Sequence, residues 1–171
     1  TFKILTVAMG LETGAFTADT LVNDSGVIDR YGFPLRNFDG NGRGMITPGQ
    51  VLYYSSNVGA LLLAELTGVD DFYRMVDEFG YGKLTGIDIG GEAPGMYRLP
   101  TSPDWGPLDI DTNAYGQSIA VTPLQQVRMA AAIANGGKIL KPYIVQRQCH
   151  GDNCVETQPE VLGQPISPEV A

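Results

Sequence analysis

From Phe2 to Leu11 the apolar positions Phe2, Ile4, Leu5, Ala8, Met9 and Leu11 follow helical spacing, and Gly14 offers a stop. The pattern predicts a helix with Lys3 in its first turns. From Leu21 to Asn41, Asn, Asp, Gly and Pro mix with short β-prone pieces such as Gly26 to Ile28, which predicts a loop-rich connection with little regular structure. Thr47-Pro48-Gly49-Gln50 then reads as a helix start, with Thr as cap and Pro at the first helical position, running to about Tyr54. An Ala- and Leu-rich stretch from Asn57 to Thr67 ends at Gly68 and predicts a buried helix. In the next stretch, Val69 to Phe79, Phe72, Met75, Val76 and Phe79 stand at i, i+3, i+4 and i+7, and Gly80 closes it. Gly82 to Asp104 returns to loop character. Thr122-Pro123-Leu124-Gln125 repeats the earlier start signal, and Gly136-Gly137 stops the Ala-rich run behind it. Lys138 to Gln148 and Val155 to Val161 alternate as two arms of a hairpin, and Ser167-Pro168-Glu169 looks like the opening of another helix.

Composition adds exclusions more than identity. At 171 residues, 43% hydrophobic and 18% charged, the chain has the makeup of a globular protein with a sizeable core. The 22 glycines and 11 prolines fall between short elements and not in a repeat. A net charge of -8 repels polyanions, which argues against nucleic acid and anionic membrane surfaces as partners. No run reaches the roughly 20 apolar residues of a spanning helix, and Thr1 to Gly14 lacks the order of a secretory signal. A start without Met, inside a helical pattern, leads us to expect a piece of a larger protein. Cys149 and Cys154 bracket a turn-like tetrapeptide, where a hairpin disulfide is geometrically reasonable in an oxidising compartment; in the cytosol the pair would stay as thiols. With His150 they also suggest a metal site, but structural zinc takes four ligands and no fourth stands nearby.

Candidate chemistry rests on Lys3, Ser55 and Asn57. A lysine near a chain start is ordinarily a solvated surface residue. Thr1-Phe2-Lys3, however, is what remains of Ser-Thr-Phe-Lys without its first residue, and a serine at that position would share a helix face with Lys3. Such a lysine can act as a base only if burial or neighbouring positive charge disfavours its ammonium form. Ser55-Ser56-Asn57 is a Ser-x-Asn triplet in the break between two helices. In its bland reading, Ser55 or Ser56 caps the Asn57 helix. In the functional one, Ser55 relays a proton while the Asn57 amide orients the lysine and binds a substrate backbone.

Ser-x-x-Lys, Ser-Asp-Asn and Lys-Thr-Gly form the motif set of β-lactamases and penicillin-binding proteins. With Ser56 in place of Asp, the triplet takes the form associated with penicillin-binding proteins. Longer strings carry the likeness further, in the order of the family. Thr1-Phe2-Lys3 resembles the end of Pro-Gly-Ser-Thr-Phe-Lys, and Tyr54 to Ala60, YSSNVGA, resembles the second motif. Phe79 to Gly91, FGYGKLTGIDIGG, looks like the family's Phe-Gly-x-Gly-x-x-Thr-Gly-Ile-Asp string. Tyr115 to Gln125, YGQSIAVTPLQ, is similar to Gly-Gln-Gly-x-x-Val-Thr-Pro-Leu-Gln, and Ala130 to Gly137 continues into its Ala-x-Ala-Asn-Gly-Gly end. Ser118 stands where the family usually has glycine. The chain thus resembles, over essentially its whole length, the transpeptidase domain of class B penicillin-binding proteins.

That resemblance implies an α/β fold of the β-lactamase/transpeptidase type, an antiparallel sheet with helices on both faces plus a helical subdomain. Residues 1–171 would be a partial domain, mainly the helical subdomain and part of the sheet, mostly α with a small β-hairpin. It implies a peptidoglycan D,D-transpeptidase that cross-links stem peptides through an acyl-serine and is acylated by β-lactams. Lys3, Ser55 and Asn57 would be catalytic, Asn57 also substrate-binding, with no metal or organic cofactor. The nucleophilic serine would precede Thr1 and the Lys-Thr-Gly strand would follow Ala171, so this piece alone should form no acyl-enzyme and needs the remainder of its parent chain. Partners would be stem peptides, β-lactams and other cell-wall synthesis proteins, at the extracytoplasmic face of a bacterial membrane, with the anchor outside this chain. The rivals are a non-catalytic β-lactam sensor or scaffold of the same fold, and a serine β-lactamase, which the two long strings disfavour. Trp105 reads as a packing anchor, His150 as a turn residue away from the motifs, and Asp70-Asp71 and Asp109 with Asp111 as caps and solvated loops.

Overall fold

Three Thr- or Gly-initiated helices with proline in the first turn set the local frame of the chain. The computed structural model describes residues 2–171. Thr1, part of the first motif string, lies outside them. Helices α1 (Lys3–Glu12), α2 (Pro48–Tyr54), α3 (Asn57–Thr67), α4 (Val69–Glu78), α5 (Pro107–Asn113) and α6 (Pro123–Ala134) alternate with strands of two to four residues, of which β5 (Met96–Tyr97) and β6 (Ile119–Ala120) are the shortest kind. At α2 and α6 the caps close as the sequence requires. Thr47 Oγ1 and Thr122 Oγ1 accept from the backbone N–H of Gln50 and Gln125, whose side-chain oxygens accept in return from the threonine N–H groups.

The chain divides into two compact units, Thr1–Val76 with Tyr97–Ala120, and Asp77–Met96 with Val121–Ala171. In the first unit, α3 is the central rod, packing against α1, α2 and α5. It buries Ala60, Leu61, Leu63 and Ala64 on nearly all sides because its Asn57–Thr67 sequence carries almost no charge. Val7 and Phe16 from α1 and its exit, with Val22, Ile46 and Val51, complete one continuous apolar cluster with Ala60 and Leu63. Trp105 is indeed an anchor: its indole N–H donates to the Tyr73 hydroxyl, which also accepts from Asn113.

The stretch from Leu21 to Asn41 is more regular than expected. It holds β1 (Val22–Asp24), β2 (Val27–Arg30) and β3 (Phe33–Arg36). β2 and β3 form an antiparallel hairpin over Tyr31-Gly32, both at positive φ, and β1 pairs with β4 (Gly44–Ile46). Three-residue strands such as β1 draw stability from a partner about twenty residues away, which no local pattern reports. Helix α5 is a second departure. Pro107 and Asp109 mark its first turn, but the sequence PLDIDTN has no apolar stripe. Asp109 does serve as a cap, accepting from Gly106 N–H and pairing with Arg98, yet both it and Asp111 are buried and not in a solvated loop. Asp70 and Asp71 lie in the first turn of α4, where Asp71 pairs with Arg74.

In the second unit α6 packs against β7 (Ile139–Leu140), and β7 pairs antiparallel with β10 (Val161–Gly163). Buried Arg128 donates to the carbonyls of Phe79 and Gly80, and Gln125 to those of Lys83 and Pro94, so one helix satisfies the backbone of the neighbouring loop. β8 (Arg147–His150) and β9 (Asn153–Glu156) form an exposed hairpin in which Cys149 opposes Cys154 and the two are disulfide-bonded. That bond takes up both thiols, and His150 is exposed at the hairpin's end. Ser167 to Val170 makes a single turn, short of the helix its Ser-Pro-Glu start suggests. Helix exceeds strand, as expected, but the strands are spread over several two-stranded ladders instead of one hairpin.

Candidate active site

Two adjacent serines at the α2–α3 break take different work. Ser56, buried, is the N-cap of α3, and its hydroxyl oxygen accepts from Gly59 N–H at 2.7 Å. Ser55, exposed, ends α2 in the left-handed region, φ 54° and ψ 39°. For a residue with a Cβ that conformation costs on the order of 1 kcal/mol, and it lets the chain reverse between two helices without a longer loop. The cap bond is thus made by Ser56 and not by Ser55. The Lys3 amine, in the first turn of α1, donates to Ser55 Oγ at 3.0 Å.

Asn57 is the first residue of α3, and its side-chain amide donates to the carbonyl of Arg36 at 2.9 Å. Lys3, Ser55 and Asn57 line one open cavity of about 460 Å³ with Phe38, Arg43 and Tyr54. The three residues singled out in the sequence therefore converge, although 52 positions separate Lys3 from Ser55. The Asn57 amide nitrogen gives one N–H to a backbone carbonyl, while Lys3 is fixed by the bond it donates to Ser55 Oγ.

Electrostatically the cavity makes the amine of Lys3 less basic than a solvated one. Half-burial of Lys3 holds its pKa below the ordinary lysine value, because the ammonium form loses hydration there. Arg43 lies 5.4 Å from the centre of the Tyr54 ring and is tied to Asp39 at 2.5 Å. The Arg43 guanidinium holds the Asp39 carboxyl at about 2, so this pair remains charged at any working pH.

Several residues around the site went unread in the sequence. Phe38 is fully exposed at the cavity's edge. Asn37 and Asp24, both buried, sit behind the Ser-Ser-Asn turn, where Asn37 Oδ1 accepts from the Asn57 and Val58 N–H groups. They lie in the stretch taken for loop, so no periodicity drew attention to them. Among the described residues no group of three or more His, Cys, Asp and Glu side chains is placed to hold a metal.

The Lys3–Ser55 contact thus joins two of the residues that the motif strings mark. The chain belongs to the penicillin binding protein transpeptidase domain family, which matches residues 1–171. It is 36% identical over 148 residues to stage V sporulation protein D of Bacillus subtilis, covering 85% of this chain and 22% of that protein. It is 33% identical over 171 residues to penicillin-binding protein PbpB of Mycolicibacterium smegmatis, covering 99% of this chain and 26% of that one. The crystal structure of penicillin-binding protein 3 from Mycobacterium tuberculosis complexed with aztreonam superposes with a TM-score of 0.86 at 28% identity, over 99% of this chain and 38% of that one. The chain spans about a quarter of the length of these curated relatives. Its fold is that of part of a penicillin-binding transpeptidase domain.

At Ser118, the position where the family usually has glycine, φ is 54°. The left-handed backbone that glycine adopts freely is kept, and a serine bears the strain.

Proposed function

We propose that this chain is part of a peptidoglycan D,D-transpeptidase, and that Lys3, Ser55 and Asn57 are three of its catalytic groups. The observation that carries the reading is the 3.0 Å contact from the Lys3 amine to Ser55 Oγ in the cavity that Asn57 also lines. In this proposal a serine ahead of Thr1 in the parent protein gives its hydroxyl proton to neutral Lys3 and attacks the carbonyl of a D-Ala-D-Ala bond. The proton then passes from Lys3 through the Ser55 hydroxyl to the leaving nitrogen, so D-Ala departs as an amine and an acyl-serine remains. A neighbouring stem's amine attacks that ester, its proton returns by the same route, and the serine leaves with its hydroxyl restored. The Asn57 side chain, fixed by Arg36, presents its amide to the substrate backbone. β-Lactams would bind here, a reading supported by the aztreonam complex of the mycobacterial relative, and would stop at the ester stage.

The disulfide of the β8–β9 hairpin supports an oxidising, extracytoplasmic location. No helix among the described residues is long and apolar enough to cross a membrane. In this proposal the anchor belongs to another segment of the parent protein. The same holds for the Lys-Thr-Gly strand and for contacts with other cell-wall synthesis proteins.

Fluorescent penicillin labelling of the full-length protein tests the proposal. Native protein should label, with a rate that rises with pH through the lowered pKa of Lys3. Lys3→Ala should abolish labelling with little change in folding, and a variant that still labels would refute the general-base role. Labelling without cross-linking of stem peptides would point instead to a β-lactam sensor.

A further inference from the structure

We propose that Asn37, clamped by Asp24, is a positioning residue that holds the Ser55–Ser56–Asn57 turn in register with Lys3. The inference rests on the transpeptidase reading above for its chemical consequence, and on geometry alone for its structural one. The first N–H groups of α3 have no partner within the helix. Ser56 takes one of them, from Gly59. The two before it go to a single atom outside the helix: Asn37 Oδ1 accepts from Asn57 N–H at 2.8 Å and Val58 N–H at 3.1 Å, and from the Ser56 hydroxyl at 3.3 Å. Both backbone donors lie within three residues of Ser55. Meanwhile the Asn57 side chain reaches the carbonyl of Arg36, the residue before Asn37. The end of β3 therefore grips the motif at its backbone and at its functional side chain.

An asparagine held only by its oxygen could rotate its amide and offer N–H groups to the helix end, which would break all three contacts. Asp24 prevents that. Both its oxygens accept from Asn37 Nδ2, at 2.8 and 2.9 Å, and the same nitrogen also reaches the carbonyl of Asn41. Asp24 is 1% exposed, and one of its oxygens also accepts from Gly26 N–H. Burying a carboxylate is costly unless its lone pairs are filled, and here most of its contacts go to fixing one amide. A helix cap alone needs no such support, since Ser56 already supplies one. What needs support is Ser55, which is exposed and sits in a left-handed conformation that the chain would leave if the following residues were free. The clamp removes that freedom from the α3 side, and the Lys3–Ser55 contact is the result.

Asp24→Asn is the informative variant, because an amide can still accept one bond from Asn37 and the fold is retained. In the full-length protein we expect its penicillin acylation rate constant to fall by on the order of tenfold or more, in line with what small misplacements cost a reacting pair. Thr122→Ala, which weakens a cap remote from these residues in sequence, should acylate at the native rate per folded molecule. A second measurement needs no activity. The protonation of Lys3, followed by competitive acetylation across pH and mass spectrometry, should move up towards the ordinary lysine value in Asp24→Asn as the loosened turn admits water. Native acylation and a native Lys3 titration in Asp24→Asn would overturn the positioning role while leaving the transpeptidase reading intact. A native protein that never labels, with the Lys3 titration still moved by Asp24→Asn, would sink the enzyme reading and leave the clamp standing.

Discussion

Replacing Asp111 by Asn should stabilise the protein at neutral pH and lose that advantage in acid. Asp111 projects from α5 into a buried site where Arg30 is shared between two carboxylates. The Arg30 Nη2 is 2.6 Å from Glu65, whereas its Nε stands 3.8 Å from Asp111 and has no hydrogen-bond partner. Glu65 thus has the close pairing and Asp111 the distant one. Burial first, and the Glu65 charge second, push the Asp111 carboxyl up from 3.8 to about 6 against the opposing pull of Arg30. A carboxyl with a raised folded-state pKa binds its proton more tightly in the native protein than in the unfolded chain. Its favourable contribution is therefore complete below about pH 4 and is lost as pH rises through about 6. A separation of about two pH units, at ~1.4 kcal/mol each, is worth ~3 kcal/mol, and with the Asp111 side chain 4% exposed little is lost to solvent screening.

Urea unfolding of native and Asp111→Asn protein from pH 3.5 to 8 gives the difference directly. Loss of the weak Arg30 contact adds a constant offset, so the slope is the diagnostic quantity. The variant should gain about 3 kcal/mol relative to native protein between pH ~4 and ~7, and change little outside that range. A difference that stays flat, or that falls with rising pH, would mean that Arg30 stabilises the Asp111 charge in full and that the burial argument is wrong.

Three further substitutions probe the local rules. Gly137→Ala should cost roughly 3 kcal/mol or more in urea unfolding, since φ there is +88° and an added Cβ would stand 1.9 Å from the Ile166 carbonyl oxygen, a backbone atom that cannot move aside. Thr122→Ala should lower stability by about 1 kcal/mol through loss of the hydroxyl that accepts from Gln125 N–H at the start of α6, read as a fall in the thermal midpoint. Ser118→Gly should raise stability by about 0.5 kcal/mol in the same melts, because φ 54° is strained for serine and free for glycine; a loss of stability would show that the serine side chain is held by contacts worth more than the strain.

The capped helices and the family resemblance are legible residue by residue along the chain. Thr47-Pro48-Gly49-Gln50 and Thr122-Pro123-Leu124-Gln125 specify their caps through side chains three residues apart, and the stops at Gly68 and Gly80 are equally local, so α2, α3, α4 and α6 were legible without tertiary knowledge. Lys3, Ser55 and Asn57 were legible because motif strings mark them, although nothing in composition or periodicity would have joined Lys3 to Ser55. The rest follows from packing. The ladder of β1 with β4 is made by residues about twenty positions apart and leaves no periodic trace. Asp111 reads as a surface carboxylate until α5 is packed against α3, and its raised pKa exists only in that packing. Asn37 and Asp24 look like turn residues, and the bonds that make them a clamp cross 13 to 21 positions. Local signals fix elements because their partners lie within one turn. Buried polar networks are fixed by desolvation, which depends on what the whole fold brings around each group.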